Sequence, residues 1–252
     1  MPFARIRLEV SGGVAVVSLA GPDAGNLIDE LTAVELREVF SDLDDDGDVR
    51  TIVLTGDGTN FCRGSALTGA PSGENIATHS VASAIAAVGK ATLAAIEGEA
   101  LDQGFELALA CDIRIASTSA RLGLTQGNSG GIPWDGGTQR LPRLVGRSRA
   151  LQMILLGRVI TAQEAAAMGL VAELTASGDA LGRAIALAKI IEKHGPVAVR
   201  YLKEAVHKGA DLALDQAMRL EVDLATLLHS TNDRSEGLRA FAEKRTPEFL
   251  GE

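Results

Sequence analysis

Hydrophobic positions follow two different spacings in the first part of this chain. Short apolar runs predict buried strands, whereas apolar residues three or four positions apart predict helices. Strands are expected at residues 5–10, 14–19, 51–54, 92–96 and 112–116, helices at 31–43, 74–88, 103–110 and 137–145, and glycine-rich loops at 56–73 and 123–137. Because strands and helices alternate, the pattern predicts the α/β class.

The spacing becomes almost purely helical after residue 147. Residues 170–174 are the exception, and residues 179–244 predict three or four amphipathic helices. We therefore expect an α/β core over residues 1–175 and a helical C-terminal region over residues 176–252. The apolar faces of that region form a small domain core or pack on a partner subunit.

The composition is that of a soluble globular protein, with 46% hydrophobic and 23% charged residues in a chain of 252. The longest lightly charged stretch, 81–96, is shorter than the roughly 18 residues of a membrane span and is broken by Gly89 and Lys90. The first residues lack the long apolar run of a signal peptide. We therefore expect no membrane partner and a cytoplasmic location.

Residue spacing and charge argue against metal and nucleic acid as partners. The two cysteines form no CxxC pair, and the four histidines form neither HxxxH nor HExxH. A formal net charge of −9 and an aromatic content of 3% are unlike the basic, aromatic surfaces that bind nucleic acid. Neither GxGxxG nor GxxxxGK[ST] occurs, so dinucleotide and P-loop sites have no support.

Glu106 is a carboxylate inside the apolar stretch 105–110 of a predicted helix. Burial raises the pKa of a carboxyl group, which suits a general acid or base. The alternative is a structural glutamate that interacts with amides of the first helical turn. Gln103 and Gly104 begin this helix, and free N–H groups there suit a developing oxyanion, although an ordinary helix start is the more common case.

Two further segments carry candidate chemistry. In residues 61–67 a glycine before a small residue permits close approach of a ligand to the backbone, and Arg63 is either a solvated charge or a phosphate contact. In residues 123–141 Asp135 precedes a Gly-Gly pair, where it is either a helix N-cap or an acid/base group. A GxSxG pattern around Ser129 has the glycines of a hydrolase elbow, but the glycine-rich surroundings and the following proline argue against that site.

Five segments in order resemble the enoyl-CoA hydratase/isomerase (crotonase) superfamily. They are residues 61–67 (FxAGADL in the family), 94–116 (AxxNGxALGGGxELAxxCDxxxA), 132–146 (IPxxGGTQRLPRxVG), 162–171 (an element ending in GLV) and 236–245 (EGxxAFxEKR). The resemblance runs from residue 6 to residue 249.

The resemblance implies a crotonase-like spiral of ββα units with a helical C-terminal region that mediates assembly into a homotrimer or a hexamer (dimer of trimers). It implies an acyl-CoA substrate whose thioester enolate is held by the backbone N–H groups of Ser65 and Gln103. The two catalytic positions of a hydratase fall on Glu106 and Gln126, and no cofactor is implied beyond the coenzyme A thioester of the substrate. Further substrate contacts are expected at Arg63, Ala66, Leu67, Gly104, Trp134, Phe241 and Lys244.

The chain departs from the family pattern at several of these positions. Gln126 replaces a glutamate and can orient water but cannot exchange a proton near pH 7. Gln103 replaces a glycine, which predicts a narrower oxyanion hole, and Ala66 replaces an aspartate. Trp134 stands where a small residue is usual, which predicts a reshaped acyl pocket. The WDGG at 134–137 is similar to the FDGG of naphthoyl-CoA synthase-like members, which makes Asp135 a second acid/base candidate.

The leading prediction is an enoyl-CoA hydratase-like lyase that adds water to a 2-enoyl-CoA. A second is a sister activity with one carboxylate, such as a double-bond isomerase, C–C hydrolase or decarboxylase. The third is a CoA-binding or assembly protein with little catalysis.

Overall fold

Two sheets form the framework of the molecule, whose computed structural model describes residues 3–21, 25–67 and 72–252. Positions 68–71 of the predicted first glycine-rich loop lie outside these residues. The strands are β1 Ile6–Ser11, β2 Val14–Leu19, β3 Thr51–Gly56, β4 Ala91–Ile96, β5 Glu99–Leu101, β6 Ile113–Ser117, β7 Arg121–Gly123, β8 Val159–Thr161 and β9 Glu173–Thr175. The larger sheet has the order β1-β2-β3-β4-β6-β9, and the smaller sheet has the order β5-β7-β8.

Parallel pairing dominates the larger sheet. Only β1 and β2 are antiparallel there, and Gly12 and Gly13 form the turn of the hairpin between them. The central strands β3 and β4 are buried almost throughout, which explains why they read as continuous apolar runs rather than as alternating patterns. In the smaller sheet β7 pairs parallel with β5 and antiparallel with β8.

Helices connect the strands and form the end of the chain. They are α1 Glu30–Asp45, α2 Gly73–His79, α3 Ala82–Ala87, α4 Gln103–Ala110, α5 Gly137–Val145, α6 Arg147–Leu155, α7 Ala162–Ala167, α8 Ala180–Ile191, α9 Pro196–Gly209, α10 Leu214–His229 and α11 Asn232–Glu243. The predicted helix 74–88 is two helices, α2 and α3, which meet at Ser80 and Val81. The spacing of apolar residues does not predict the strands β5, β7 and β8, because three residues are too few to show a periodic pattern.

The helical end of the chain has two different environments. Helix α8 packs Ala180, Ala184 and Ala188 on Val53 and Leu93 of the larger sheet, so it belongs to the packed core. Helix α9 has no buried residue, and α10 and α11 expose many of their apolar side chains. The four helices α8 to α11 match the predicted number, whereas a division of the chain at residue 175 remains a prediction.

Candidate active site

Glu106 lies in the interior, on the first turns of α4. Its Oε1 atom accepts hydrogen bonds from the backbone N–H groups of Asp135 (2.9 Å) and Gly137 (2.7 Å). Its Oε2 atom has no hydrogen-bond partner among the described residues. Burial raises the pKa of this carboxyl from 4.5 to about 7. Glu106 therefore combines a fixed orientation with one available oxygen and a protonation equilibrium near neutral pH.

A short loop before α2 lies directly against the start of α4. The N–H of Cys62 donates to the carbonyl of Glu99 (3.0 Å), and the N–H of Leu101 donates to the carbonyl of Cys62 (2.9 Å). A side chain at Gly104 would bring its Cβ to 2.1 Å from the Cys62 carbonyl oxygen. Gly104 therefore allows this close packing, and its expected contact with substrate remains a prediction.

Two backbone donors are left available by this packing. Ile28 pairs with the residues on either side of Ser65, donating to the Gly64 carbonyl and accepting from the Ala66 N–H (both 2.9 Å). That pairing does not use the N–H of Ser65. No described residue accepts a hydrogen bond from the N–H of Ser65 or of Gln103. Both positions proposed for an oxyanion hole thus retain a free donor, on segments that are packed together.

Gln126 is anchored beside the same helix start through Asp102. The Asp102 carboxylate accepts from the backbone N–H and the hydroxyl of Thr125, the residue before Gln126. Asp102 has a φ of 50°, an unusual left-handed value for a residue other than glycine. The side-chain oxygen of Gln126 is buried without a hydrogen-bond partner among the described residues. The sequence did not indicate this role of Asp102, since it follows from contacts between distant segments.

Asp135 is a buried carboxylate that caps a helix other than its own. It accepts from the Ser80 hydroxyl (2.6 Å) and from the backbone N–H groups of Val81 (3.0 Å) and Ala82 (3.2 Å), at the start of α3. The Gln103 side chain also donates to it (3.1 Å) and to the His79 carbonyl (2.6 Å). The Gln103 side chain is therefore directed towards α2 and Asp135.

The other predicted contact residues are more exposed. Arg63 forms an ion pair with Glu99 (2.7 Å), Ala66 is exposed and Leu67 is half-buried. Phe241 and Lys244, at the end of α11, are exposed, Phe241 by 86%, and neither takes part in the hydrogen bonds around Glu106. Their substrate contacts remain predictions.

The serine of the GxSxG pattern has only a turn contact. Ser129 lies in a 3₁₀ turn, Gln126–Ser129, and its hydroxyl donates to the Gln126 carbonyl at 3.0 Å. A nucleophilic serine would instead donate to a base such as histidine. The geometry gives the serine hydrolase alternative no support.

A cavity of about 1040 Å³ borders Trp134, which is half-buried. The end of α4 contributes Leu109 and Ala110 to its wall, and α5 and α9 contribute both apolar and basic side chains. Glu106 is not among the residues that line this cavity, so its use as the acyl pocket remains a prediction.

Comparison with known proteins agrees with this architecture. The family described as enoyl-CoA hydratase/isomerase matches residues 9–252. The chain belongs to this family.

Similar enoyl-CoA hydratase/isomerase family members cover almost the whole chain. It is 36% identical over 259 residues to (E)-benzylidenesuccinyl-CoA hydratase of Thauera aromatica, covering 98% of this chain and 99% of the relative. It is 36% identical over 243 residues to 2,3-dehydroadipyl-CoA hydratase of Escherichia coli (strain K12), covering 94% and 95%. The crystal structure of enoyl-CoA hydratase from Bacillus anthracis superimposes with a TM-score of 0.95 at 36% identity, covering 99% of this chain and 100% of that one.

The predicted family and the crotonase-like α/β fold are therefore confirmed. A hydratase-like enzyme of acyl-CoA processing is confirmed at the level of the family. The individual site residues remain predictions, to which the structure adds the geometry given above.

Proposed function

We propose that this enzyme adds water to the double bond of a 2-enoyl-CoA, with Glu106 as the acid/base group. The observation that carries the proposal is the Glu106 carboxylate itself. It is buried and held through one oxygen, and its other oxygen has no hydrogen-bond partner in the part of the chain that the structure describes. The free N–H groups of Ser65 and Gln103 on adjoining segments support it, because an enolate intermediate needs two such donors.

In the proposed mechanism the substrate's thioester carbonyl accepts hydrogen bonds from Ser65 and Gln103. Ionised Glu106 takes a proton from water while the water oxygen bonds to the β carbon, and the electrons of the double bond move to the thioester as an enolate. Protonated Glu106 then gives its proton to the α carbon, which restores the carboxylate. One carboxylate thus completes the addition, and the buried oxygen of Gln126 orients the water by accepting its second O–H. The reaction uses no cofactor beyond the substrate's own coenzyme A.

A second candidate is a sister reaction that shuttles one proton, such as double-bond isomerisation, C–C hydrolysis or decarboxylation. The observation that favours it is Gln126, which leaves Glu106 as the acid/base group where a two-glutamate hydratase has a pair. A CoA-binding protein with little catalysis is the third alternative, and it predicts binding without turnover.

Assembly and location are also proposals. A homotrimer or a dimer of trimers is supported by the exposed apolar side chains of α9, α10 and α11. A cytoplasmic location is supported by the cysteine content, because two cysteines in a chain of 252 residues do not make the disulfide framework typical of secreted proteins. None of the described helices has the length and apolar character needed to cross a membrane.

The experiment is a panel of acyl-CoA thioesters assayed with the wild-type enzyme and Glu106→Gln. The proposal is supported if the wild-type enzyme hydrates a 2-enoyl-CoA and Glu106→Gln does not. Turnover of a 3-enoyl-CoA without hydration favours the isomerase, and binding of all thioesters without turnover favours the third alternative.

A further inference from the structure

Asp135 links three separate segments of the chain through its side chain. Its two oxygens lie 2.6 Å from the Ser80 hydroxyl, 3.0 Å from the Val81 nitrogen, 3.2 Å from the Ala82 nitrogen and 3.1 Å from the Gln103 side-chain nitrogen. Three of these donors lie at the junction of α2 and α3, and the fourth is on the first residue of α4.

The backbone of the same residue holds the catalytic carboxylate. The Asp135 N–H donates to Glu106 Oε1 at 2.9 Å, beside the N–H of Gly137 at 2.7 Å. Gln103 lies one helical turn before Glu106 on α4, so its side chain ties the start of that helix to the segment that binds Glu106. Main-chain and side-chain contacts of Asp135 therefore converge on the orientation of Glu106.

The Asp135 side chain has no capacity left for a substrate. A carboxylate offers about four lone-pair directions, and four donors surround this one at 3% exposure. Glu106, in contrast, keeps an unpartnered oxygen among the described residues. The two carboxylates thus differ in what they can do, although both are buried.

We propose that Asp135 and the Gln103 side chain are positioning residues, which fix segment 135–137 against α4 so that Glu106 presents its free oxygen to the substrate. This proposal rests on the proposed function of Glu106. It gives Asp135 a different role from that of an acid/base group that touches substrate.

The charge of Asp135 also acts on Glu106. Two carboxylates face Glu106: Asp135 in the loop before α5 and Asp102 in the turn before α4, and both add to the effect of burial in raising its pKa. Arg140 of α5 binds the Asp135 carbonyl (3.0 Å), and α3 carries no charged side chain. Removing the Asp135 charge should therefore move the Glu106 titration to lower pH.

The test compares kcat, KM and the pH profile of Asp135→Asn and Gln103→Met on a substrate that the wild-type enzyme turns over. Asp135→Asn replaces an accepting oxygen with an NH2 group, which faces the N–H and O–H donors that surround residue 135 and cannot accept from them. We therefore expect kcat to fall at least about tenfold, with KM changed less than about threefold. The acidic limb of the pH profile should shift to lower pH. Gln103→Met should also lower kcat, by a smaller factor than Asp135→Asn.

The matched control is Glu35→Gln. Glu35 is also buried, at 7% exposure, and accepts two backbone hydrogen bonds from Ala4 and Arg5 (both 2.8 Å), but lies on α1 away from these contacts. It should leave kcat and the pH profile unchanged, whatever its effect on the melting temperature. If Asp135→Asn fails to fold, Ser80→Ala removes a single hydrogen-bond donor to Asp135. It should lower kcat and shift the acidic limb of the pH profile by smaller amounts.

The Glu106→Gln background separates positioning from direct catalysis. If Asp135 acts through Glu106, Asp135→Asn should lower the residual turnover of Glu106→Gln by less than about twofold. An equal loss in both backgrounds would mean that Asp135 acts on the substrate itself and would overturn the proposal. If the residual turnover of Glu106→Gln is too small to measure, the single variant Asp135→Asn provides the test. A kcat and an acidic limb of the pH profile equal to those of the wild-type enzyme would then overturn the proposal. Full activity of Glu106→Gln alone would instead refute the proposed function.

Discussion

At the scale of single residues, environment divides chemically similar groups into different roles. Glu106 and Asp135 are both buried carboxylates, but Glu106 has an oxygen without a hydrogen-bond partner among the described residues, whereas Asp135 is surrounded by donors. Under the proposed function, Glu106 is the one that exchanges a proton with the substrate. The consequences of this difference can be measured in pH dependence, in stability and in turnover.

We expect kcat/KM for hydration to rise with pH through about 7 and to level off above it, because Glu106 must be ionised to accept a proton from water. Glu106→Gln keeps the shape and the bound oxygen but removes proton exchange. Its turnover should fall at least about 100-fold. Steady-state kinetics between pH 5 and pH 9 checks both statements, and wild-type turnover in the variant would contradict the assignment.

The same raised pKa predicts a cost in stability. The pKa of Glu106 is about 7 in the folded protein, above the ordinary value of 4.5 that applies in the unfolded chain. Between these two pH values the folded state binds more protons than the unfolded state. The stability that protonated Glu106 contributes is therefore lost as the pH rises through about 7. The shift to about 7 corresponds to about 3 kcal/mol. Glu106→Gln should therefore raise the melting temperature at pH 8 relative to wild type, and much less at pH 5. A difference independent of pH would argue against a titrating Glu106.

Gln126→Glu should raise hydratase turnover on a short 2-enoyl-CoA, since a second carboxylate can share the proton transfer. The increase should appear in kcat more than in KM, because the change acts on the transition state. If the folded, CoA-binding variant has lower or no turnover, the sister activity explains the site better.

At the scale of elements, the site depends on how closely a loop can approach the first turn of α4. Gly104 provides this approach, because no side chain fits between it and the Cys62 carbonyl. The break between α2 and α3 serves the same site, since the N–H groups it releases bind Asp135. Loop, helix start and helix junction thus form one packed unit.

Gly104→Ala should separate the segments that carry Ser65 and Gln103. Its Cβ would lie 2.1 Å from a backbone oxygen, so we expect a loss of about 1–3 kcal/mol in unfolding free energy and a fall in kcat. Gly182→Ala is the matched control, because Gly182 lies in α8 with nothing within 4 Å of the added Cβ. Chemical denaturation and kinetics of both variants provide the measurement, and equal behaviour of the two would refute the packing argument.

At the scale of the whole molecule, exposed apolar surface predicts assembly. Helix α10 presents Leu214, Met218 and Val222 four positions apart, 76%, 60% and 62% exposed. Such a stripe on a helix of an isolated chain is typical of a surface that another subunit covers.

Light scattering should therefore give a mass of three or six times the 26.2 kDa of one chain. Met218→Glu with Val222→Glu should reduce the assembled fraction, since burying two carboxylates in an apolar contact is costly. Gln216→Glu adds a carboxylate to the opposite side of the same helix and should leave the mass unchanged. A wild-type monomer at micromolar concentration would contradict the prediction.

Local patterns along the chain were enough to establish the family, the α/β class and the start of α4 at Gln103. These features depend on apolar spacing and on motifs that can be read without coordinates. Glu106 was identified in the same way, because a carboxylate within an apolar helix is visible in the order of residues.

The surroundings of these groups, in contrast, followed only from the folded chain. The strands β5, β7 and β8 are held in place by pairing with strands distant in sequence. Because each has only three residues, none shows a periodic pattern of apolar positions. The role of Asp135 likewise depends on Ser80 and Gln103, 55 and 32 positions away. Hydrogen bonds between distant segments leave no periodic signal in the chain. These bonds distinguish Glu106, which has an unpartnered oxygen among the described residues, from Asp135, which is surrounded by donors.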